Sequence, residues 1–220
     1  MNLLPYIRLL GVATCAAFIP AHASGAPAEP PAAAQHDRLA RLAADPAALP
    51  EAIRRGKVAA SVCRHCHGPG GNSALPDVPN LASQNADYLL EQMNKFVHGQ
   101  RKSSDFMAGM IKALTPDERI DIALFLSRQP VVYPAGNKPA NAAGKAAYKL
   151  LCIKCHGDTA VGTRRIPRLA GQQVKYLEDS LKRYRSGKGD RIDPLMAAYT
   201  QNLKDVDIRN LAGYLSSLRP

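Results

Sequence analysis

The chain of 220 residues has room for one large domain or two small ones, each with a modest core. Its formal net charge of +11 favours acidic partners or an anionic surface. Aromatic residues make up 5% of the chain and tryptophan is absent, which excludes two cores filled mainly by aromatic side chains. A large bound cofactor would supply the missing apolar volume.

The N-terminus has the pattern of a secretory signal peptide. A basic residue precedes an apolar run over 9–19, and an A-x-A cleavage site follows at 21–23. The run is too short to span a bilayer. We therefore predict a signal peptide over 1–23, cleaved after Ala23, and a mature protein in the periplasm; an uncleaved anchor is the alternative. Cleavage removes Cys15 and leaves four cysteines.

Two stretches of biased composition divide the rest of the chain. Residues 24–50 are rich in proline and alanine, which predicts a partly disordered leader with short helical pieces toward its end. Three prolines within 129–139 predict an interdomain linker. The predicted domains are therefore 51–128 and 140–220.

These two domains repeat one another. A cysteine pair, the histidine after it and a later methionine all recur 89 residues further along the chain. The matched residues are Cys63, Cys66, His67 and Met107 in the first copy and Cys152, Cys155, His156 and Met196 in the second. Between them the offset falls to 88, so Pro79 matches Pro167 and Gln84 matches Gln172. Fixed anchors between variable loops indicate a tandem duplication whose chemistry lies in the anchors.

The predicted elements of each copy are helices. Good helix formers lead into both cysteine pairs. Apolar residues over 88–97 recur at helical spacing, and this helix and its counterpart should stop at Gly99 and Gly187. Thr115 then caps a helix that has Pro116 at its first position. No stretch predicts a strand, so the expected fold class is all-α.

The motif C-x-x-C-H is the attachment signature of a c-type haem. Thiols at i and i+3 lie on one face of a helical turn and can both bond to the porphyrin, while the next histidine projects toward the iron. Zinc is an alternative, because two C-x-x-C pairs supply four ligands, and an exported pair can also form a disulfide. Neither alternative requires a matched methionine in each copy. We therefore predict two covalently bound haems c, each enclosed by one domain.

The methionines decide what such haems would do. A methionine as the sixth ligand saturates the iron and raises its potential, which suits electron transfer. Met107 and Met196 are the predicted distal ligands, opposite the proximal histidines. Met93 and Met110 have no counterpart and are predicted to fill the core. His36 lies in the predicted leader and is assigned no role.

Both halves resemble class I cytochrome c domains, and the tandem resembles the two-haem cytochrome c4 family of exported electron carriers, over about residues 51–220. The matching segments are CRHCHG and CIKCHG, then VPNLASQNADYLLEQMNKFVHGQR and IPRLAGQQVKYLEDSLKRYRSGKG, then FMAGMIKALT and LMAAYTQNLK. The resemblance implies that Pro79 and Pro167 offer their carbonyl oxygens to the proximal histidines. It also implies a carrier of single electrons between a membrane donor complex and a terminal oxidase or reductase, with no catalytic residue.

Two other functions stay open. A dihaem enzyme, such as a peroxidase or a thiosulfate-oxidising cytochrome, needs a haem with an open or replaceable ligand, and the matched methionines argue against one. A subunit docked permanently in a larger redox complex would serve as its point of electron entry.

Positive charge is concentrated in the second copy. Residues 56–128 carry eight Lys/Arg and seven Asp/Glu, whereas 139–220 carry fifteen and seven. Arg164, Arg165 and Arg168 cluster after the second haem motif. This predicts that the second domain docks an acidic redox protein or an anionic membrane. The alternative is a solvated face with one or two arginines that neutralise haem propionates. Neither a nucleic acid nor a small-molecule substrate is expected.

Overall fold

The computed structural model describes residues 29–102, 104–133, 141–187, 191 and 193–220. The predicted signal peptide and most of the predicted linker lie outside these residues. The α-helices of the described residues are α1 (Ala32–Ala44), α2 (Leu49–Ala59), α3 (Arg64–His67), α4 (Ala86–Val97), α5 (Asp105–Lys112), α6 (Pro116–Ser127), α7 (Ala142–Leu151), α8 (Ile153–His156), α9 (Val174–Ser186), α10 (Pro194–Thr200) and α11 (Asp205–Ser217).

The prediction of an all-α fold is confirmed. A short 3₁₀ helix follows α3, and one isolated antiparallel bridge joins Arg101 to Arg191; the described residues form no strand. None of their helices combines the length and apolar character that a membrane span requires.

The first and last helices of each repeat cross at a glycine. A Cβ atom on Gly56 of α2 would lie 2.0 Å from the carbonyl oxygen of Asp121 on α6, and one on Gly144 of α7 would lie 2.0 Å from that of Asn210 on α11. Only glycine allows the two backbones to approach this closely. The helix pairs α2–α6 and α7–α11 therefore form the same frame twice, and each frame supports one cysteine motif.

The part of the predicted leader that the structure describes is ordered. Helix α1 packs on α4 and α6, and its residues His36 and Leu39 are both 3% exposed. The sequence predicts short helical pieces toward the end of this leader, and the helix packs because three residues at helical spacing, His36, Leu39 and Ala43, cover one side of domain 1. The Nδ1 atom of His36 lies 2.7 Å from Oδ1 of Asp87 on α4. His36 is therefore a buried contact between the leader and the first repeat.

Candidate cofactor sites

Each C-x-x-C-H motif forms one tight helical turn. The backbone N–H of His67 donates to the carbonyl oxygen of Cys63 at 2.9 Å, and that of His156 donates to Cys152 at 3.0 Å. In each motif this places both thiols and the imidazole around a single turn. No disulfide joins the four cysteines of the two motifs, and the described residues contain no group of three or more His, Cys, Asp or Glu placed to bind a metal ion. The two cysteine pairs therefore lie apart and do not combine into one tetrathiolate site.

The buried thiols are not poised as thiolates. Burial raises the pKa of Cys63, and it raises the pKa of Cys152 to about 11. Both groups are thus protonated at neutral pH. A redox-active cysteine instead requires a lowered pKa, so this environment does not favour a dithiol catalyst.

Each histidine is fixed by a proline carbonyl group. Nδ1 of His67 lies 2.9 Å from the carbonyl oxygen of Pro79, and Nδ1 of His156 lies 3.1 Å from that of Pro167. A carbonyl oxygen can only accept, so the proton is on Nδ1 and the lone pair is on Nε2. Burial lowers the pKa of both imidazoles, although the hydrogen bond to proline opposes the shift. Both are neutral at neutral pH, as a metal-ligating histidine must be.

One large cavity contains the side chains that the sequence predicts as ligands. Its volume is about 790 Å³, and residues of both repeats line it, including all four cysteines, His67, His156, Met107 and Met196. Each of the two methionines is the third residue of its helix. The N–H of Met107 donates to Oγ of Ser104 at 3.3 Å, and that of Met196 donates to Oδ1 of Asp193 at 3.1 Å. The N-cap of α5 or α10 thereby fixes each methionine at the cavity wall.

Two arginines that were not predicted as site residues lie between the repeats. Arg101 and Arg191 line the cavity, and the Nε atom of each is buried without a hydrogen-bond partner in the described residues. A guanidinium of Arg191 donates to the hydroxyl of Tyr88 at 2.6 Å, and both arginines donate to the hydroxyl of Tyr176. Burial alone would raise the pKa of Tyr176, but the positive charges of Arg191 and Arg101 lower it below its usual value.

This cluster has hydrogen-bond donors available for an anion. Unsatisfied guanidinium N–H groups in an otherwise apolar cavity suit carboxylates, which accept hydrogen bonds from arginine readily. Haem carries two propionates, so the cluster fits the polar edge of that group, while the apolar wall fits its ring. The signal in the sequence was faint: Arg101 precedes Met107 by six residues, and Arg191 precedes Met196 by five.

The predicted arginine cluster of the second repeat is divided by the fold. Arg168 is 4% exposed and donates to the carbonyl oxygen of Ala82 at 2.7 Å. Nε of Arg164 donates to Oδ2 of Asp87 at 2.9 Å across the domain interface. Arg165 is exposed. Arg168 therefore joins the repeats from the interior, whereas Arg164, whose side chain is 57% exposed, and Arg165 stay at the surface of the second repeat.

Comparison with known proteins agrees with the duplicated site. The family model described as Cytochrome c matches residues 53–129 and again 141–219. Cytochrome c4 of Pseudomonas aeruginosa is 31% identical over 192 residues, which cover 82% of this chain and 92% of the relative. The crystal structure of reduced recombinant cytochrome c4 from Pseudomonas stutzeri has a TM-score of 0.67 at 29% identity, and the match covers 76% of this chain and 98% of that one. The thiosulfate dehydrogenase electron acceptor of Thiomonas intermedia is 32% identical over 167 residues, covering 70% of this chain and 76% of that one.

A helical frame that presents C-x-x-C-H at an apolar cavity, with a methionine that also lines the cavity, defines a class I cytochrome c domain, and this chain has two. The family model matches most of the chain, and two proteins named cytochrome c4 are similar to it over 82% of its length. These matches identify the family within the class. The chain belongs to the cytochrome c4 family. Its cofactors are two covalently bound haems c, and it is a dihaem carrier of electrons.

Proposed function

We propose that this protein carries single electrons in the periplasm, between a membrane donor complex and a terminal oxidase or reductase. The observation that supports this best is the pairing, in each repeat, of a neutral histidine with a methionine at the wall of one cavity. The cofactor supplies the redox chemistry, and the protein's task is to enclose it and to keep other ligands away from the iron.

In this proposal every anchor residue has one role. The thioether-forming residues are Cys63, Cys66, Cys152 and Cys155. The axial ligands are His67 and Met107 in the first domain and His156 and Met196 in the second. The residues that orient the proximal imidazoles are Pro79 and Pro167. The domains extend over 51–128 and 140–220, joined by the linker 129–139, and the leader before them follows a signal peptide cleaved after Ala23.

A redox titration followed by absorbance tests this function. We expect two one-electron steps, both at the high potentials that methionine ligation gives, and a haem content of two per chain. Carbon monoxide added to the reduced protein should bind slowly and incompletely, because both irons are saturated. Rapid binding at one haem would show a replaceable ligand and would favour an enzyme.

The enzyme alternative rests on kinship with thiosulfate oxidation. The Thiomonas relative is described as the electron acceptor of a thiosulfate dehydrogenase, not as the dehydrogenase. That description favours a carrier, and a thiosulfate-dependent reduction of the isolated protein would argue against our proposal. A permanent subunit of a larger complex would instead co-purify with that complex in stoichiometric amounts.

For partner docking we propose a surface on α7 and α8 of the second domain. Lys145, Lys149 and Lys154 are exposed there, and Leu150 between them is 82% exposed. An apolar centre with a cationic rim, next to the cysteine motif, suits a transient complex with an acidic redox protein. This surface adds to Arg164 and Arg165 of the predicted cluster, which are also exposed on the second domain, whereas Arg168 is buried.

Charge reversal of this surface should slow the encounter. We expect Lys149→Glu with Lys154→Glu to reduce the bimolecular rate of electron transfer to an acidic redox protein several-fold at low salt, and to flatten its dependence on ionic strength. Stopped-flow absorbance measures both effects. Lys57→Glu with Lys112→Glu, two exposed cations of the first domain, is the matched control. Equal effects of the two pairs would refute docking on the second domain.

A further inference from the structure

Each domain contacts a loop of the other domain through a matched, buried glutamine. Oε1 of Gln84 accepts from the backbone N–H of Arg168 at 2.7 Å, and its Nε2 donates to the carbonyl oxygen of the same residue at 3.0 Å. Gln172 repeats this arrangement on Asn80, with distances of 2.7 and 2.9 Å. The two glutamines are 5% and 3% exposed. Each amide thus satisfies both backbone groups of one residue in the opposite domain.

The contacted residue directly follows the proline that orients the proximal histidine. The N–H of Arg168 and the carbonyl group of Pro167 belong to one peptide unit, and that carbonyl oxygen accepts from Nδ1 of His156. A continuous chain of hydrogen bonds therefore runs from Gln84, through one peptide unit, to the imidazole of the other domain. The same chain runs from Gln172 through the peptide unit between Pro79 and Asn80 to His67.

Hydrogen bonds in such a chain strengthen one another. An acceptor on the N–H of a peptide unit places more negative charge on its carbonyl oxygen, which then accepts more strongly. A stronger acceptor at Nδ1–H makes the imidazole a better electron donor through Nε2. A better donor stabilises the oxidised iron and lowers the potential of the haem.

We propose that Gln84 and Gln172 are positioning residues that act crosswise, so that each lowers the potential of the haem in the opposite domain. The proposal rests on the assignment of His67 and His156 as proximal ligands. Through these contacts the packing of the two domains sets both potentials, and a change at the interface reaches the axial ligands without any change in the cavity.

The second domain offers the cleaner test, because its loop has independent support. Nδ2 of Asn85 donates to the carbonyl oxygens of Thr163 and Ile166 at 2.7 and 2.6 Å, and Arg164 pairs with Asp87. None of these bonds involves the peptide unit that accepts from His156. They keep the loop in place when Gln84 is changed. The variant also removes the bond from Gln84 to the carbonyl oxygen of Arg168 and the bond that Oε1 accepts from the backbone N–H of Asn85, but neither involves the peptide unit that accepts from His156.

The experiment uses Gln84→Met and Gln172→Met, which keep most of the side-chain volume and remove both hydrogen bonds to the opposite domain. Spectroelectrochemical titration of the holo-protein measures both midpoint potentials, and a Met196→His background separates the two haems so that each step is assigned. We expect Gln84→Met to raise the potential of the second haem only, and Gln172→Met to raise that of the first haem only. Asn85→Ala is the matched control and should shift neither.

A second measurement does not depend on potentials. The Nδ1 proton of the proximal histidine, observed by NMR in the reduced protein, should move upfield in the domain opposite the substitution. If Gln84→Met fails to incorporate haem, Gln84→Asn tests the same bond. Equal shifts at both haems, or a shift in the domain that carries the substitution, would overturn the crosswise action. If Met196→His itself leaves both potentials unchanged, the ligand assignment fails instead, which separates the two outcomes.

Discussion

Replacing Met196 by histidine should lower the midpoint potential of the second haem by roughly 0.3 V, part of the ~0.8 V range that axial ligands span. A thioether sulfur is a weak donor that favours the reduced iron, whereas a second imidazole favours the oxidised iron. The N-cap bond from Met196 to Asp193 fixes the residue at the cavity wall, so the new side chain starts from the same place. Titration followed by absorbance should show one step displaced and the other retained.

The duplicated chain provides the controls for this substitution. Met107→His should displace the other step by a similar amount, because Met107 occupies the matching position on α5. Met93 also lines the cavity but is 8% exposed and packs in the core of the first domain. Met93→Leu should therefore leave both potentials nearly unchanged. A large shift with Met93→Leu, or none with Met107→His, would contradict the assignment of the ligands.

Local sequence was sufficient for the features that repeat. Spacing within C-x-x-C-H determines a single helical turn, and the recurrence of the motif with a methionine identified both sites. Pro79 and Pro167 followed from the family resemblance, and their carbonyl groups do face the histidines. Each motif, its methionine and its proline lie within one repeat, and the sequence distances between them are nearly the same in both repeats.

Relations between distant segments left no such pattern. The partners of Gln84 and Gln172 are backbone groups of the other repeat. Because every residue type has these groups, the sequence does not indicate which residue a glutamine contacts. In the sequence, Arg101 and Arg191 do not differ from other basic residues. Only the fold brings their backbones together in an antiparallel bridge. The packing of helix α1 on the first domain was not predicted, because its apolar face is narrow and includes His36, whose acidic partner Asp87 is 51 residues away.

The same leader segment provides Glu29, the acidic partner of a buried arginine in the first domain. Arg119 on α6 is 1% exposed, and its guanidinium donates to Glu29, which precedes α1. Its other bonds go to neutral acceptors, Oδ1 of Asn94 at 3.1 Å and the carbonyl oxygen of Leu114 at 2.8 Å. Burial lowers the pKa of Arg119, and the nearby Glu29 opposes that shift. We therefore propose that α1 packs on the first cytochrome c domain, 51–128, as part of its folded unit, which then begins at about residue 29.

Glu29→Gln should reduce the free energy of unfolding by about 2 kcal/mol, because it leaves the buried guanidinium of Arg119 without its counter-charge, while the exposure of Glu29 keeps the loss below that of a fully buried pair. Urea-induced unfolding of the holo-protein, followed by far-UV circular dichroism, measures the change. Arg38→Ala is the matched control: it breaks an exposed ion pair between α1 and Asp117 on the same helix α6, and should cost at most about 1 kcal/mol. Combining Glu29→Gln with Arg119→Met should recover much of the loss, since no buried charge then remains. If Glu29→Gln costs no more than Arg38→Ala, the leader is an accessory layer and the first domain begins with α2.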